Sequence, residues 1–403
     1  MSHLLTDKEI VVGVSGGIAA YKAVEFSRSL VKAGSSVRVI MTRSAAKFVG
    51  PLTFEALSGH PVWMEMFDRR LDSVFPHITW AERADAVVVI PATANIIGKI
   101  AHGIADDPLT TFLTAVTAPV IICPSMNVRM YENARVQKNI ESVRASGIDV
   151  VGASSGQLAC GGEGIGRLAD LDTILERLQA ALSVQDLKGA HVVVTAGPTR
   201  EALDPVRFIS NPASGKMGYA VARAAQRRGA DVVLVSGPTS IPPPEGVGVI
   251  RVESAEEMYH AVMEYTTDRS IVIKAAAVSD WRPKEVFDRK VKKEALSETV
   301  AFERTRDILQ ALGDKKTTEQ VLVGFAAETE NLSENAADKL AAKNLDMIVA
   351  NPVGKADSGF GADMNQATLL FRDGSSEHLP LCSKESMADT ILDKVVAMRT
   401  RGR

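Results

Sequence analysis

At 403 residues, the chain is longer than the roughly 100–200 residues of a single domain, so two or three domains are expected. Hydrophobic residues make up 46% and charged residues 24%, which excludes a disordered chain, a collagen-like chain and a coiled-coil rod. With 46 basic against 49 acidic residues the net charge is −3, so no basic field marks nucleic acid as a partner.

The opening stretch MSHLLTDKEIVVGVSGG runs from a short apolar strand into glycine and has no signal-peptide core with a cleavage site. No apolar run reaches the ~18 residues of a membrane span. Cys123, Cys160 and Cys382 form no CxxC pair, which argues against structural zinc, iron–sulfur ligation and a disulfide framework. A reduced cytoplasmic protein is expected.

In chain order, a β-branched run over 10–14 meets Ser15-Gly16-Gly17 and a helical pattern over 18–32. Strand-like runs follow at 37–41, 86–90, 120–123 and 148–150, and an apolar-periodic helix over 171–182 closes this half. The chain then begins again. Residues 186–189 lead into a run over 191–195 and the turn Ala196-Gly197-Pro198, with further strands at 231–236, 271–274, 321–325 and 347–350. The boundary falls near 183–190, giving domains 1–185 and 186–403. Strands separated by helices imply parallel sheets with right-handed crossovers. Both halves read as doubly wound, Rossmann-like α/β domains, the first flavodoxin-like, with ligands at the carboxyl ends of the strands. The glycine-dense stretch 154–166 and the charged stretch 280–293 read as loops over a site.

Three segments carry phosphate-binding character. GVSGGIAAYK, residues 13–22, follows a strand and opens a helix, where free N–H groups meet an anion. It lacks a full GxGxxG, and the second strand ends in Met41-Thr42-Arg43-Ser44 with no acidic group for an adenosine ribose. That favours a mononucleotide over a dinucleotide; the plainer alternative is a tight strand–helix turn. NPASGKMG, residues 211–218, precedes a helix but fails the P-loop pattern, because Met217 stands where Ser or Thr would hold magnesium. Lys339 and Lys343 lie four apart on one predicted helix face, and Lys290 begins a second cluster, KVKK. Both are either phosphate clamps or solvated basic faces.

Beyond these readings, the first half resembles the flavin-containing cysteine decarboxylases. GVSGGIAAYK, PATANIIGK (91–99), PSMN (124–127) and ACGGEGIGR around Cys160 carry the likeness. The second half resembles phosphopantothenate–cysteine ligase, through TAGPTREALDPVRFISNPASGKMG (195–218), KAAAVSDW (274–281), KVKK and GFAAET (324–329). Together they resemble the bacterial bifunctional enzymes of coenzyme A biosynthesis, from about residue 8 to residue 400. Two departures stand out: Ser125 replaces the usual alanine of PAMN, and Thr305-Arg306-Asp307-Ile308 replaces an Asn-Pro-Asp-Ile-like segment.

The resemblance implies two consecutive reactions. A CTP- and magnesium-dependent ligation joins 4′-phosphopantothenate to L-cysteine through an acyl-cytidylate. An FMN-dependent decarboxylation of the product then gives 4′-phosphopantetheine. Oxidation of the cysteinyl moiety supplies the electron sink that a plain decarboxylation lacks. For the decarboxylase, the implied residues are His77 as an acid–base or orienting group, Asn127 gripping the substrate, and Cys160 as proton donor. Ser15, Gly16, Gly17, Thr42 and Thr93 are the implied flavin contacts. For the ligase, Asn211 handles the acyl-cytidylate and Lys290, Lys339 and Lys343 neutralise phosphate charge. Asp280 contacts nucleotide or metal. The backbone of Lys274, Ala275 and Ala276, the segment Arg306, Asp307, Ile308 and Leu309, and Phe325 frame the CTP. Homo-oligomers follow from the same likeness, decarboxylase trimers and ligase dimers combining into a dodecamer. Other readings are an NAD-dependent oxidoreductase, a non-catalytic scaffold, or a chain in which one half alone is active.

Overall fold

The computed structural model describes residues 3–68, 70, 71, 73–157, 163–291, 299–328, 332–352 and 361–401. It divides into two units, Ser2–Ser183 and Val184–Arg403.

The first unit carries β1 (Glu9–Val14), α1 (Ala20–Lys32), β2 (Ser36–Met41), α2 (Pro51–Ser58), α3 (Pro76–Arg83), β3 (Ala86–Ala92), α4 (Ala94–His102) and α5 (Pro108–Ala115). It continues with β4 (Val120–Pro124), α6 (Val128–Tyr131), α7 (Ala134–Ala145), β5 (Asp149–Val150), β6 (Ser154–Gln157), β7 (Glu163–Arg167) and α8 (Leu171–Leu182). Five parallel strands form the sheet in the order β2-β1-β3-β4-β5. The strands are continuous apolar runs because both faces are covered: every residue of β3 is buried. α1 buries Ala20, Ala23, Phe26, Ser27 and Leu30, the one-face spacing of an amphipathic helix. α5 starts on a reciprocal cap, Asp107 accepting from the Thr110 N–H and the Thr110 side chain accepting from the Asp107 N–H.

The second unit carries β8 (His191–Ala196), β9 (Arg200–Ala202), β10 (Phe208–Ser210), α9 (Lys216–Arg227), β11 (Asp231–Ser236), β12 (Gly248–Arg251), α10 (Ala255–Tyr265) and β13 (Ile271–Lys274). Next come β14 (Trp281–Pro283), β15 (Phe302–Arg304), α11 (Ile308–Asp314), β16 (Val321–Glu328), α12 (Leu332–Ala342), β17 (Met347–Pro352), β18 (Met364–Phe371), β19 (Ser376–Ser383) and α13 (Lys384–Arg401). The sheet order is β12-β11-β8-β13-β16-β17-β18-β19. Its first six strands are parallel, and β18 and β19 add an antiparallel edge with a bulge between Asn365 and Ala367. Alternate residues of β8 and β13 enter different cores. Val192, Val194, Ile271 and Ile273 pack with α9 and α13, whereas Val193 and Val272 pack with α10, α11 and α12.

Both units are doubly wound α/β. The two stretches read as loops contain strands. β6 and β7 form an antiparallel hairpin within 154–167, and β14 pairs with β15 inside and beyond the charged stretch. Glycine and charge made both look irregular, yet short ribbons need no continuous apolar face. The antiparallel edge β18–β19 and the long α13 are additions that alternation of strand and helix did not announce.

Gly237, just after β11, is held against the chain after β8. A Cβ built there would lie 1.9 Å from the Pro198 carbonyl oxygen. Gly237→Ala is expected to destabilise the second unit by roughly 1–3 kcal/mol. Hydrogen-exchange mass spectrometry should show protection lost in 184–403 and retained in 2–183.

Candidate functional site

In the first unit the strand order reverses between β1 and β3, since β2 lies to one side of β1 and β4 to the far side of β3. This is the flavodoxin order, and the loops leaving two such strands part and open a crevice at their carboxyl ends. A crevice of about 880 Å³ lies there, lined by Ser15, Gly16, Thr42, Ser44, Thr93 and Asn95 with the apolar Met64, Met66, Ile96 and Met130. Gly16 is required by close approach, because a Cβ would sit 2.4 Å from Ser44 Cβ. Ser15 is buried, and its hydroxyl donates to the Pro91 carbonyl (2.7 Å) and accepts from the Thr93 N–H (3.0 Å). It ties β1 to β3, which leaves the main chain at 15–17 and the hydroxyls of Thr42 and Thr93 as the groups able to meet a ligand. Gly17 continues that turn, its N–H bonded to the Ser15 carbonyl. Arg43 and Glu65 pair across the rim at 2.8 Å, and Lys99 is clamped by Asp106 (2.6 Å) and Asp107 (2.9 Å). A hydroxyl-rich end beside an apolar methionine wall fits the phosphate and the flat ring of a flavin mononucleotide.

Asn127 caps α6, its Oδ1 accepting from the Arg129 N–H at 2.9 Å, and α6 contributes Met130 to the crevice. The β6–β7 hairpin sits on this loop. The Met126 N–H donates to the Gly166 carbonyl at 2.9 Å. A Cβ at Gly166, whose φ is +143°, would lie 2.4 Å from the Met126 carbonyl oxygen, and one at Gly164 would lie 2.8 Å from Val128 Cγ2. Cys160, between β6 and β7, lies outside the described residues. His77 is on α3 and half-buried, its ring edge-on to Phe75 at 6.3 Å; it does not line the crevice. Val74, Phe75 and Ile78 around it are exposed.

In the second unit the six parallel strands follow the order third-second-first-fourth-fifth-sixth, with the reversal between β8 and β13. That is the Rossmann order, and again the crevice belongs at the carboxyl ends of the two strands. Thr195, fully buried at the end of β8, accepts the Ala276 N–H on Oγ1 at 3.1 Å. The Ala277 N–H donates to the Gly197 carbonyl at 3.0 Å, and the Asn211 side-chain amide donates to the Ala277 carbonyl at 3.0 Å. Gly215, with φ +82°, turns the chain into α9.

Lys274 ends β13 on the α10–α12 side. Its ammonium makes no hydrogen bond or ion pair among the described residues. Desolvation pushes its ammonium down to about 8; Lys343 and Lys339 reinforce this, and Asp307 and Asp280 oppose it. Lys343 pairs with Asp307 at 2.7 Å. Burial works to raise the Asp307 carboxyl, but the Lys343 ion pair and the Gln310 N–H outweigh it and hold that carboxyl below its usual range. The structure therefore brings Lys274, Asp280, Asp307, Lys339 and Lys343 into one electrostatic cluster. Ile308 and Leu309 are buried in the core and Ala276 is nearly so, leaving their main chain to meet a ligand. Arg306 turns away to Glu256 (3.4 Å) and the Tyr259 ring (5.0 Å). Phe325 packs against the core on the opposite face of the sheet. Lys290 is exposed, in a segment held next door by the Arg207 guanidinium donating to the Val291 carbonyl at 2.6 Å. Among the described residues, no group of three or more His, Cys, Asp or Glu side chains is placed to hold a metal. A single carboxylate such as Asp280 suits a magnesium carried chiefly by nucleotide phosphates.

Sequence reading missed Ser44, Lys99 with its two aspartates, and Thr195 and Thr199, although each lies in or beside a motif quoted for another reason. No helix among the described residues is long and apolar enough to cross a membrane.

A crevice at the switch point of the first sheet and a Rossmann-order reversal in the second define a two-unit, doubly wound α/β protein with the strand orders of nucleotide-binding folds. Residues 1–183 match the family described as Flavoprotein, and residues 187–398 match the DNA/pantothenate metabolism flavoprotein C-terminal domain. The chain is 50% identical over 399 residues to the coenzyme A biosynthesis bifunctional protein CoaBC of Bacillus subtilis, covering 98% of each. It is 44% identical over 396 residues to the Escherichia coli protein of that name, covering 97% of each. The crystal structure of the C-terminal domain of a CoaBC protein aligns at TM-score 0.46 and 44% identity, over 54% of this chain and 99% of that one. The FMN-dependent cysteine decarboxylase SpaF aligns at TM-score 0.39 and 29% identity, over 44% and 97%. The chain belongs to the CoaBC family of coenzyme A biosynthesis bifunctional proteins.

The Lys274 environment makes a testable claim. A lysine shifted down binds fewer protons folded than unfolded, so stability rises with pH between about 8 and the ordinary lysine value near 10.4. NMR of the methylated-lysine protein should show one lysine titrating near pH 8, absent in Lys274→Met, and moving upward when pyrophosphate is added. A lone bulk-like titration would refute the sheltered ammonium.

Proposed function

We infer that the chain catalyses two consecutive steps of coenzyme A biosynthesis. The second unit is a phosphopantothenate–cysteine ligase and the first a phosphopantothenoylcysteine decarboxylase. The observation that carries this is identity of 50% over 98% of both chains with a bifunctional relative, joined to the switch-point crevice of the first unit and the lysine cluster beside the switch point of the second.

In the ligase, CTP binds with its triphosphate toward Lys290, Lys339 and Lys343; Asp280 would hold a magnesium ion, which would supply charge neutralisation at the phosphates. Carboxylates are poor acyl donors, so the 4′-phosphopantothenate carboxylate attacks the α-phosphorus and pyrophosphate leaves. The cysteine amine then attacks the acyl carbon of the cytidylate; a C–N bond forms, the C–O bond breaks and CMP departs. Asn211 orients the acyl-cytidylate. Lys274, whose ammonium has no ion-pair partner among the described residues, would gain one from a bound anion.

In the decarboxylase, the main chain at 15–17, Thr42 and Thr93 hold flavin mononucleotide. When bound, that group supplies the two-electron oxidation and re-reduction around carbon dioxide loss. Asn127 grips the substrate through its side-chain amide. Cys160 is the proton donor, a role open to a protonated thiol. His77 acts as acid–base or orienting group.

The exposed apolar residues Val74, Phe75 and Ile78 in the first unit support homo-oligomers, as do Phe208, Trp281 and Phe302 on the short ribbons of the second. Decarboxylase trimers and ligase dimers building a dodecamer are the arrangement we propose, in the cytoplasm.

The two half-reactions are to be assayed separately on the purified chain. A yellow protein that converts 4′-phosphopantothenate, cysteine, CTP and magnesium to 4′-phosphopantetheine, carbon dioxide, CMP and pyrophosphate is expected. A colourless protein that releases no pyrophosphate would sink the reading. Cys160→Ser and Asn127→Asp should each slow decarboxylation about 100-fold or more and leave ligation intact. Gly166→Ala, which drives the hairpin off the Asn127 loop, should cost decarboxylation about 10- to 100-fold with ligation again unchanged.

A further inference from the structure

Resting on the ligase reading of the second unit, this inference concerns Thr199, which ends the motif TAGPT after β8 and is fully buried. All of its polar groups are engaged. Its Oγ1 accepts from the Ser279 N–H at 3.0 Å. Its N–H donates to the Ala277 carbonyl at 3.4 Å, the same oxygen that receives the Asn211 side-chain amide. Its carbonyl accepts from Ser210 Oγ at 2.8 Å. One step further, Thr305 Oγ1 donates to the Ser279 carbonyl at 2.6 Å and the Thr305 N–H to the Asp280 carbonyl at 3.0 Å.

Thr199 therefore stands between two proposed ligase groups, Asn211 on one side and Asp280 on the other. Residues 211–215 and 275–280 belong to no strand or helix, and their ladder bonding among the described residues is one isolated parallel bridge between Pro198 and Ala277. Buried side-chain hydroxyls supplement it. Without Oγ1 the Ser279 N–H would lose its partner, and the main chain would shift to find another.

We propose that Thr199 is a positioning residue of the ligase reaction, its hydroxyl holding the 277–280 loop so that the Asn211 amide and the Asp280 carboxylate address one nucleotide-bound intermediate. The role is indirect: Thr199 itself touches no substrate. Misplacement by about 1 Å at such a distance from the chemistry can cost about 100-fold in rate.

The test compares Thr199→Val, which keeps the shape and loses the hydroxyl, with Thr199→Ser, which keeps the hydroxyl. Both are made in the full chain, and ligase and decarboxylase are assayed separately. Thr199→Val should lower ligase kcat/KM for CTP about 10- to 100-fold. The KM for CTP at fixed magnesium should rise while the KM for cysteine stays put. Thr199→Ser should recover activity to within about twofold of wild type, since the same hydrogen bond is restored. Both should retain decarboxylation of supplied phosphopantothenoylcysteine. Wild-type kcat/KM in Thr199→Val, or a Thr199→Ser as impaired as Thr199→Val, would overturn the proposal. A wild-type chain that makes no phosphopantothenoylcysteine would instead overturn the ligase reading itself.

Discussion

Each unit depends on a buried hydroxyl that stitches two neighbouring strands together just where their loops part. In the first, Ser15 spans from β1 to Pro91 and Thr93 at the end of β3. In the second, Thr195 and Thr199 span from the end of β8 to Ala276 and Ser279 beyond β13. The reversal of strand order opens a crevice at these points, and an open crevice removes the ladder partners that would otherwise hold the chain ends. A short polar side chain supplies the missing bond from inside the sheet. The main chain around it stays fixed.

Around those stitches the two crevices differ in electrostatics. In the first unit the charges are arranged as pairs, Arg43 with Glu65 and Lys99 with Asp106 and Asp107. This leaves a largely neutral, hydroxyl-rich wall for a cofactor that stays bound. In the second, Lys274 forms no ion pair among the described residues, and Asp307, which acts on it at longer range, is paired with Lys343. Such a surplus of positive charge suits a triphosphate that arrives, reacts and leaves as fragments.

The sheet architecture was legible because parallel, doubly covered strands are apolar throughout. Runs such as 231–236 and 271–274 coincide with β11 and β13 residue for residue. Glycine turns after the first strand of each half marked the switch point of each sheet. What escaped reading has a physical cause in each case. β18 alternates buried and half-buried residues and so lacks the continuous run that marked the others. The hairpin β6–β7 is built on glycines that serve close approach to Met126 and Val128, and glycine there looked like a loop. Thr195 and Thr199 act through hydrogen bonds to residues some 80 positions away, a relation no local pattern contains. Ser15 lines the first crevice while its hydroxyl also bonds Pro91 and Thr93 within the protein, a structural task that its sequence motif does not disclose.

The antiparallel border of the second sheet has a consequence for how copies of the chain can meet. Its outer strand, β19, carries Glu377 and Pro380, and its pairing with β18 is broken by the bulge at Asn365. A proline without an N–H, a charge and a local twist each spoil the template that a further strand would need. The sheet is self-terminating on this side. Copies held at high local concentration can associate through side-chain surfaces, but continuing the ladder from chain to chain across β19 is blocked, and with it one common route to fibrous aggregation.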